Sequence, residues 1–197
     1  MLVLRRPSAS VLAEILAEAK QATLTYPEVG ATKSGLLPSG YRHDAEQTRL
    51  GGSTGVFEMA VAALRGWRAQ IGAGIEITPA GAWVEAGETV VLLIRSAGLW
   101  ATAPCRVVYV SDESDRFTFA YGTLPGHPEM GEVSFTITRN TAGDVVFEVA
   151  SFSRPVDPLA RLAAPLTRRI QRGVTKRYLA AIAGAASPEV TRTAQEA

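Results

Sequence analysis

The sequence predicts an α+β fold, in which a curved antiparallel sheet of seven strands wraps round one long C-terminal helix. Helical spacing of apolar residues changes to an alternating pattern after about residue 74. Short turn-like segments separate the alternating stretches, which favours antiparallel hairpins because a parallel return needs a longer crossover. A long amphipathic helix then follows, and one face of the sheet must be buried against it.

The first 40 residues predict a helix and a packed loop. Ser8 or Ser10 can start the helix. Its apolar stripe consists of Val11, Leu12, Ile15, Leu16 and Ala19. Residues 24–40 are rich in glycine and proline but retain apolar side chains such as Tyr26, which indicates a loop that packs on the domain.

Residues 41–50 predict a polar first strand, and a glycine-rich turn leads from it into a second helix. Ser53 or Thr54 can cap that helix. Its apolar positions are Val56, Met59, Ala60, Ala63, Leu64 and Trp67, and the glycines expected to end it are Gly72 and Gly74.

Six further strands are predicted from period-two alternation and from the turns between them. They are Gly74–Thr78, Glu88–Arg95, Leu99–Ser111, Arg116–Thr123, Glu132–Arg139 and Asp144–Phe152. The last helix is predicted to begin with Asp157 as N-cap and Pro158 at the first helical position, to kink at Pro165 and to end near Gly184.

This order of elements is the helix-grip architecture, a sheet around a long helix, usually with a cavity between them. We expect a single domain over residues 1–186, in which residues 1–40 add a helix and loop, and a loose tail over residues 187–197. A chain of 197 residues is long enough for one substantial hydrophobic core.

Composition narrows the classes of function. A net charge of +1 gives no global attraction to nucleic acid or acidic membranes. Cys105 is the single cysteine, so neither an internal disulfide nor a cysteine metal cluster is possible, and a cytoplasmic location is expected. No apolar stretch approaches membrane-spanning length, and nothing in the sequence calls for a cofactor.

Several motifs resemble an uncharacterised family of bacterial and plant proteins, the domain-of-unknown-function family numbered nineteen-ninety. They are Tyr41-Arg-His-Asp44, Gly98-Leu-Trp100, Cys105-Arg-Val-Val-Tyr109, Phe119-Ala-Tyr-Gly-Thr-Leu-Pro-Gly-His-Pro-Glu129 and Phe152-Ser-Arg-Pro155. The resemblance runs from about Leu24 to Ala181. It implies no reaction, but it associates the chain with Bet v 1-like and START-like helix-grip proteins, whose members carry hydrophobic ligands or catalyse cyclisation and related reactions.

Strand parity suggests where polar atoms meet the apolar interior. Tyr121 shares a face with Phe117 and Phe119, and Ser151 shares a face with Val149. Small-molecule sites are mostly apolar with a few placed polar groups, so Tyr121 and Ser151 are candidate ligand contacts. The alternative is that Tyr121 is a core tyrosine whose hydroxyl has a protein partner.

Two histidines are candidate acid–base residues. His127 lies in a turn rich in glycine and proline, where it can bind a ligand or simply hold the turn. His43 stands between Arg42 and Asp44, which lie on the opposite strand face, so the three are not expected to converge.

Arginines and aromatic residues within apolar strands are further candidates. Arg95 and Arg106 need partners if they are buried, either an acidic ligand head or a carboxylate such as Glu148. Their faces are undecided, because residues 99–110 are apolar on both parities. Trp100 can line the rim of a pocket or fill core.

Two alternative chemistries are disfavoured. No metal site is expected, since the candidate ligands His43, His127, Glu129 and Glu132 lack metal-binding spacing. The run Gly51-Gly-Ser53-Thr-Gly55 matches a nucleophile elbow, but the preceding strand is polar and hairpins follow, so helix capping is favoured.

The leading hypothesis is a protein that binds a small apolar or amphipathic molecule between the sheet and the terminal helix. The candidate contacts are Tyr41, Arg42, Trp100, Arg106, Tyr121, His127 and Ser151. One alternative is an enzyme with cyclase- or hydratase-like acid–base chemistry, using His127 or His43 with Tyr121 or Arg106. Another is an interaction module that uses the basic face of the last helix, formed by Arg161, Arg168, Arg169, Arg172, Lys176 and Arg177.

Overall fold

The computed structural model describes residues 2–35, 37–52, 54–96, 98–156 and 164–187 of the chain. The strands are β1 (Leu2–Val3), β2 (Arg42–Gly51), β3 (Glu76–Thr78), β4 (Thr89–Ser96), β5 (Leu99–Asp112), β6 (Arg116–Thr123), β7 (Glu129–Arg139) and β8 (Val145–Pro155). The helices are α1 (Ala9–Gln21), α2 (Ala31–Ser34), α3 (Val56–Arg65), α4 (Arg68–Gly72) and α5 (Ala164–Ala185).

Seven strands form an open antiparallel sheet in the order β2-β8-β7-β6-β5-β4-β3, as predicted. The two-residue β1 was not predicted and pairs with β5 off this path. The chain leaves β2 at one edge of the sheet and returns at the other edge as β3. The connection between these edges is made by α3 and α4, which share one hydrophobic core with α5 and one face of the sheet.

The face of the sheet that packs against α5, called here the inner face, carries an aromatic core. Phe117, Phe119 and Tyr121 of β6 all point into it, as the alternation predicted. The ring of Phe119 stacks on that of Phe135 in β7 at a centroid distance of 4.9 Å. Phe135 in turn lies 5.6 Å from the ring of Tyr178 in α5, so aromatic contacts join sheet to helix and the helix-grip prediction is confirmed.

The opposite, outer face is covered by the N-terminal region. Helix α1 begins where predicted, with the Ser8 hydroxyl accepting a hydrogen bond from the Val11 N–H at 3.3 Å. Its Leu12 packs on Val91 and Leu93 of β4. The following loop also packs on the sheet, and it contains the short helix α2, which the sequence did not predict.

The second predicted helix is divided in two, which corrects the sequence-based expectation. Trp67 adopts the left-handed conformation with φ 57°, and this breaks the helix between α3 and α4. The indole ring is 1% exposed and packs edge-on against Phe119 at 5.6 Å, so burial offsets the backbone strain. The N-cap of α3 is Gly55, with no side-chain cap, so Thr54 does not cap this helix; Ser53 lies outside the described residues.

The predicted start of the last helix, Asp157 and Pro158, lies outside the described residues. Pro165 is the second residue of the described span of α5. The kink expected at Pro165 stays a prediction, because residues 157–163 lie outside the described part of the chain. The helix continues one residue past Gly184.

A Cβ on Gly72 would lie 2.4 Å from the Cβ of Ala181, so this glycine lets α4 approach α5 closely.

Candidate ligand-binding site

A row of four side chains crosses the inner face, called here the Tyr121 row. Tyr121, Val133, Ser151 and Asp44 are successive cross-strand partners on β6, β7, β8 and β2. Neighbouring strands lie about 4.8 Å apart, so two strand spacings, about 10 Å, separate the backbones of Tyr121 and Ser151. These two residues therefore share a face, as the alternation predicts; their contact with a ligand stays a prediction.

The row is closed at one end and open at the other. Tyr121 is 6% exposed, beneath α4 and α5. Val133 and Ser151 are only partly buried. Arg42 and Asp44 stand at the open end, where the Arg42 Nε donates to the Asp44 Oδ2 at 2.5 Å.

Four side chains with hydrogen-bonding groups meet at the closed end, called here the polar cluster: Trp67, Gln70, Tyr121 and Tyr178. The rings of Trp67 and Tyr121 lie 5.8 Å apart. Gln70 and Tyr178 are close enough to the Tyr121 hydroxyl for their polar groups to act on its pKa. Gln70 is 0% exposed, and the other members are buried as well.

Three polar atoms of the cluster lack a hydrogen-bond partner among the described residues. They are Nε1 of Trp67 and both Nε2 and Oε1 of Gln70. The Gln70 amide is thus near the Tyr121 hydroxyl without forming a hydrogen bond of standard geometry. A buried polar group left unpaired costs about 1–3 kcal/mol, so a fully buried amide with two unpaired atoms calls for a partner.

The polar cluster carries no formal charge at neutral pH. Burial raises the pKa of the Tyr121 and Tyr178 hydroxyls above the usual tyrosine value, and both stay protonated. Burial likewise raises the pKa of the Cys105 thiol, which lies in the same core. Within the described ranges, the one charged side chain that is fully buried is Glu132, and it lies on the outer face.

His127 is engaged by its own turn. Its Nδ1 accepts a hydrogen bond from the Glu129 N–H at 2.9 Å, and its backbone N–H donates to the Leu124 carbonyl at 3.1 Å. Burial lowers the pKa of His127 from 6.5 to about 4, so the ring is neutral at pH 7. The arrangement matches the structural alternative considered for this residue.

His43 lies on the outer side of β2, away from Arg42 and Asp44, so the three do not converge. Its Nε2 is 2.8 Å from the Pro38 carbonyl. The Tyr41 hydroxyl donates a hydrogen bond to the Glu28 carboxylate at 2.7 Å. Tyr41 therefore contributes to fixing the N-terminal loop.

Arg106 and Trp100 lie on the outer face, opposite α5. The Arg106 guanidinium donates to the carbonyls of Ala19 and Ala22 at 2.8 and 2.9 Å, at the C-terminus of α1. Trp100 packs with the α1 cluster, and the guanidinium of Arg95 lies 5.6 Å from its ring. Neither arginine therefore faces the space between sheet and helix.

Sequence reasoning missed the role of Glu132. Its carboxylate accepts hydrogen bonds from the Tyr26 hydroxyl at 2.7 Å, the Gly30 N–H at 2.8 Å, the Thr32 N–H at 3.1 Å and the Thr32 hydroxyl. We call this group the Glu132 latch, because it fixes the N-terminal loop to the outer face. A Cβ at Gly122 would lie 2.1 Å from the Tyr26 hydroxyl, so the glycine of the Tyr-Gly-Thr-Leu-Pro-Gly-His-Pro motif makes room for the latch.

Three further features lie outside the Tyr121 row: a surface cleft, the candidate metal ligands and the basic face of the last helix. A surface cleft of about 390 Å³ opens at the start of α3 and is lined by Val145, six residues before Ser151 on β8. Within the described residues, no group of three or more His, Cys, Asp or Glu side chains is placed to hold a metal ion. On the basic face of the last helix, the side chains of Arg172, Lys176 and Arg177 are exposed to solvent. Arg161 and the side chains of Arg168 and Arg169 are not among the parts of the chain that the structure describes.

A seven-stranded antiparallel sheet that grips a long helix defines a helix-grip protein. The sequence profile of a family described as "Domain of unknown function (DUF1990)" matches residues 25–181, and the chain belongs to this family. A UPF0548 protein of Deinococcus radiodurans is 35% identical over 190 residues, which cover 90% of this chain and 95% of the relative. The family resemblance predicted from the motifs is therefore confirmed.

Solved structures show the same fold at low sequence identity. A hypothetical protein from Helicobacter pylori has a TM-score of 0.59 at 10% identity, over 84% of this chain and 96% of its own. The Zhui aromatase/cyclase from Streptomyces sp. R1128 has a TM-score of 0.51 at 20% identity, over 76% and 96%. Among the described residues, no helix is both long and apolar enough to cross a membrane.

Proposed function

We propose that this protein binds a small, largely apolar molecule between the inner face of the sheet and α5. Aromatic rings of that face, such as Phe119 and Phe135, supply apolar lining, and the polar cluster supplies a few hydrogen-bonding groups. This combination is typical of small-molecule sites. We also propose a cytoplasmic location, which suits a chain whose one cysteine, Cys105, is a buried free thiol.

The buried amide of Gln70 carries the proposal. A structural glutamine at 0% exposure would be expected to bond protein groups, yet its Nε2 and Oε1 have no partner among the described residues. A bound molecule that reaches the closed end of the Tyr121 row supplies the missing partner.

The proposed site keeps some predicted contacts and leaves others out. Tyr121 and Ser151 belong to it, and Arg42 stands at its open end. The remaining predicted contacts, Tyr41, Trp100, Arg106 and His127, are engaged elsewhere by protein groups. Since neither His127 nor His43 faces the Tyr121 row, binding is favoured over acid–base catalysis.

A substitution in the middle of the Tyr121 row tests the proposal. Val133→Phe adds a ring to the partly exposed centre of the row and fills the space a ligand needs. Native mass spectrometry of freshly purified wild-type protein is expected to show a bound mass that denaturing extraction releases. The bound fraction is expected to fall about tenfold in V133F, in line with a loss of about 1.4 kcal/mol.

Ala45→Phe, on the exposed side of β2, is the matched control and is expected to keep the bound mass. Equal retention by V133F and A45F contradicts the proposal. A wild-type protein that carries no bound mass and does not bind an added apolar probe, 2-ethylnaphthalene, also contradicts it.

A further inference from the structure

We infer that the ligand carries an uncharged group with a hydrogen-bond acceptor and a donor side by side, as in a primary amide, a lactam or a hydroxy-carbonyl, and that Gln70 binds this group. The inference rests on the proposed function and adds the chemical class of the ligand. It is drawn from the unpaired atoms of the polar cluster and from the absence of buried charge around them.

The side-chain amide of Gln70 presents one donor and one acceptor next to each other. Both Nε2 and Oε1 are unpartnered among the described residues, so a complementary group needs one acceptor and one donor at matching positions. Two such groups form a pair of parallel hydrogen bonds, as two amides do. The indole Nε1–H of Trp67 adds one more donor, which favours an oxygen-rich end of the ligand.

The surroundings of Gln70 select against charged groups. A carboxylate or phosphate at this depth needs a cation, and an ammonium group needs a carboxylate, because burying an unpaired charge is costly. No described side chain that is fully buried on the inner face is charged. Arg177 acts on the pKa of Tyr178 from α5, but it is exposed to solvent. The neutral tyrosines Tyr121 and Tyr178 complete the cluster.

Three probes with one ring system separate these possibilities: 2-naphthamide, 2-ethylnaphthalene and 2-naphthoate. They share the apolar skeleton and differ in the group offered to Gln70. In fluorescence titrations at pH 7, the wild-type protein is expected to bind 2-naphthamide about tenfold more tightly than 2-ethylnaphthalene, since two hydrogen bonds are gained in a buried site. The anionic 2-naphthoate is expected to bind most weakly of the three.

Gln70→Leu removes both amide atoms at nearly constant volume. The variant is expected to lose the preference for 2-naphthamide while keeping its affinity for 2-ethylnaphthalene. Its melting temperature without ligand is expected to equal or exceed that of the wild type, because an unpaired buried amide has been replaced by an apolar side chain. Gln47→Leu, at an exposed position of β2, is the matched control and keeps the preference.

The possible outcomes distinguish the inference from the proposed function. Equal affinity of the wild-type protein for the amide and the hydrocarbon overturns the inference alone. A marked fall in the melting temperature of Q70L also overturns it, because the amide then serves the fold or holds buried water; Gln70→Met repeats this measurement with an unbranched side chain. Binding of none of the three probes overturns both proposals.

Discussion

At Glu132, a buried carboxylate is surrounded by donors rather than by a cation. The backbone N–H groups of Gly30 and Thr32 donate to it at the start of α2, and Tyr26 and Thr32 add hydroxyl groups. Charge-assisted hydrogen bonds of this kind are about twice as strong as neutral ones. Among the described residues no ion pair involves Glu132, so these donors alone stabilise its charge.

Glu132→Gln tests the Glu132 latch. Each carboxylate oxygen accepts two of the four donors, so the amide NH₂ must face donors whichever way it turns. Unfolding free energy in urea is expected to fall by about 2–4 kcal/mol, because buried donors lose their acceptor. Glu85→Gln, on the surface, serves as the control and is expected to stay within about 0.5 kcal/mol of the wild type. Equal stability of the two variants would rule out a stabilising role for the latch.

Single residues were the hardest features to predict from sequence. Gln70 follows an amphipathic stretch, and a polar residue there is normally assigned to the solvent side; only the close packing of α4 against α5 buries it. Glu132 meets donors from residues 26–32, about a hundred positions earlier, a pairing that local sequence patterns do not encode. Strand parity, in contrast, depends only on neighbouring residues, so it placed Tyr121 and Ser151 on the inner face.

At the scale of elements, one arginine fastens the C-terminal end of α1 to the sheet, in addition to the apolar contacts of Leu12. Besides the carbonyls of Ala19 and Ala22, the Arg106 guanidinium reaches the Lys20 carbonyl at 3.1 Å and the Thr89 hydroxyl at 3.0 Å. The last carbonyls of a helix lack helical partners and carry partial negative charge, so a cation there is favourable. Arg106 therefore joins the end of α1 to β4 and β5.

Arg106→Met is expected to loosen α1 without unfolding the sheet. The variant keeps the aliphatic stem but leaves the carbonyls at the end of α1 without their charged donor, at a cost of about 1.5–3 kcal/mol. Hydrogen exchange read by mass spectrometry should quicken over residues 9–21 and stay unchanged over β6 and β7. Arg68→Met, an exposed arginine on α4, is the control. An increase in exchange rate over the whole chain, or no increase over residues 9–21, would be inconsistent with this local role.

The helices and strands that were predicted correctly are those in which the local sequence pattern and the tertiary packing favour the same structure. Alternating strands separated by turns rich in glycine and aspartate were found where expected. The break at Trp67 was not, because a left-handed tryptophan is locally unfavourable and is stabilised by burial of its ring against Phe119. Helix α2 was also missed, since four residues are too few to show a helical period.

For the whole molecule, the partly buried, neutral His127 links folding to pH. Its pKa is about 4 in the folded chain against an ordinary value of 6.5. Between these values the unfolded chain binds a proton that the folded chain does not, so stability falls as pH is lowered through this window. At pH 5 the loss relative to pH 7 is expected to be about 2 kcal/mol.

Urea denaturation of the wild type and of His127→Gln at pH 7 and pH 5 measures this contribution. The glutamine variant should be less stable at pH 7, yet it should lose about 2 kcal/mol less than the wild type on acidification, because its side chain does not titrate. An identical pH dependence for both proteins would show that His127 does not couple folding to pH.

The adjacency of β2 and β8 has a consequence for synthesis on the ribosome. In the described part of the chain, β2 pairs with β8 alone, and its partner emerges roughly 100 residues later, which at 5–20 residues per second is a wait of about 5–20 s. During that interval the nascent strand has both edges open. Its run of charged and amide side chains, from Arg42 to Arg49, keeps it hydrated and discourages pairing with neighbouring nascent chains until β8 arrives.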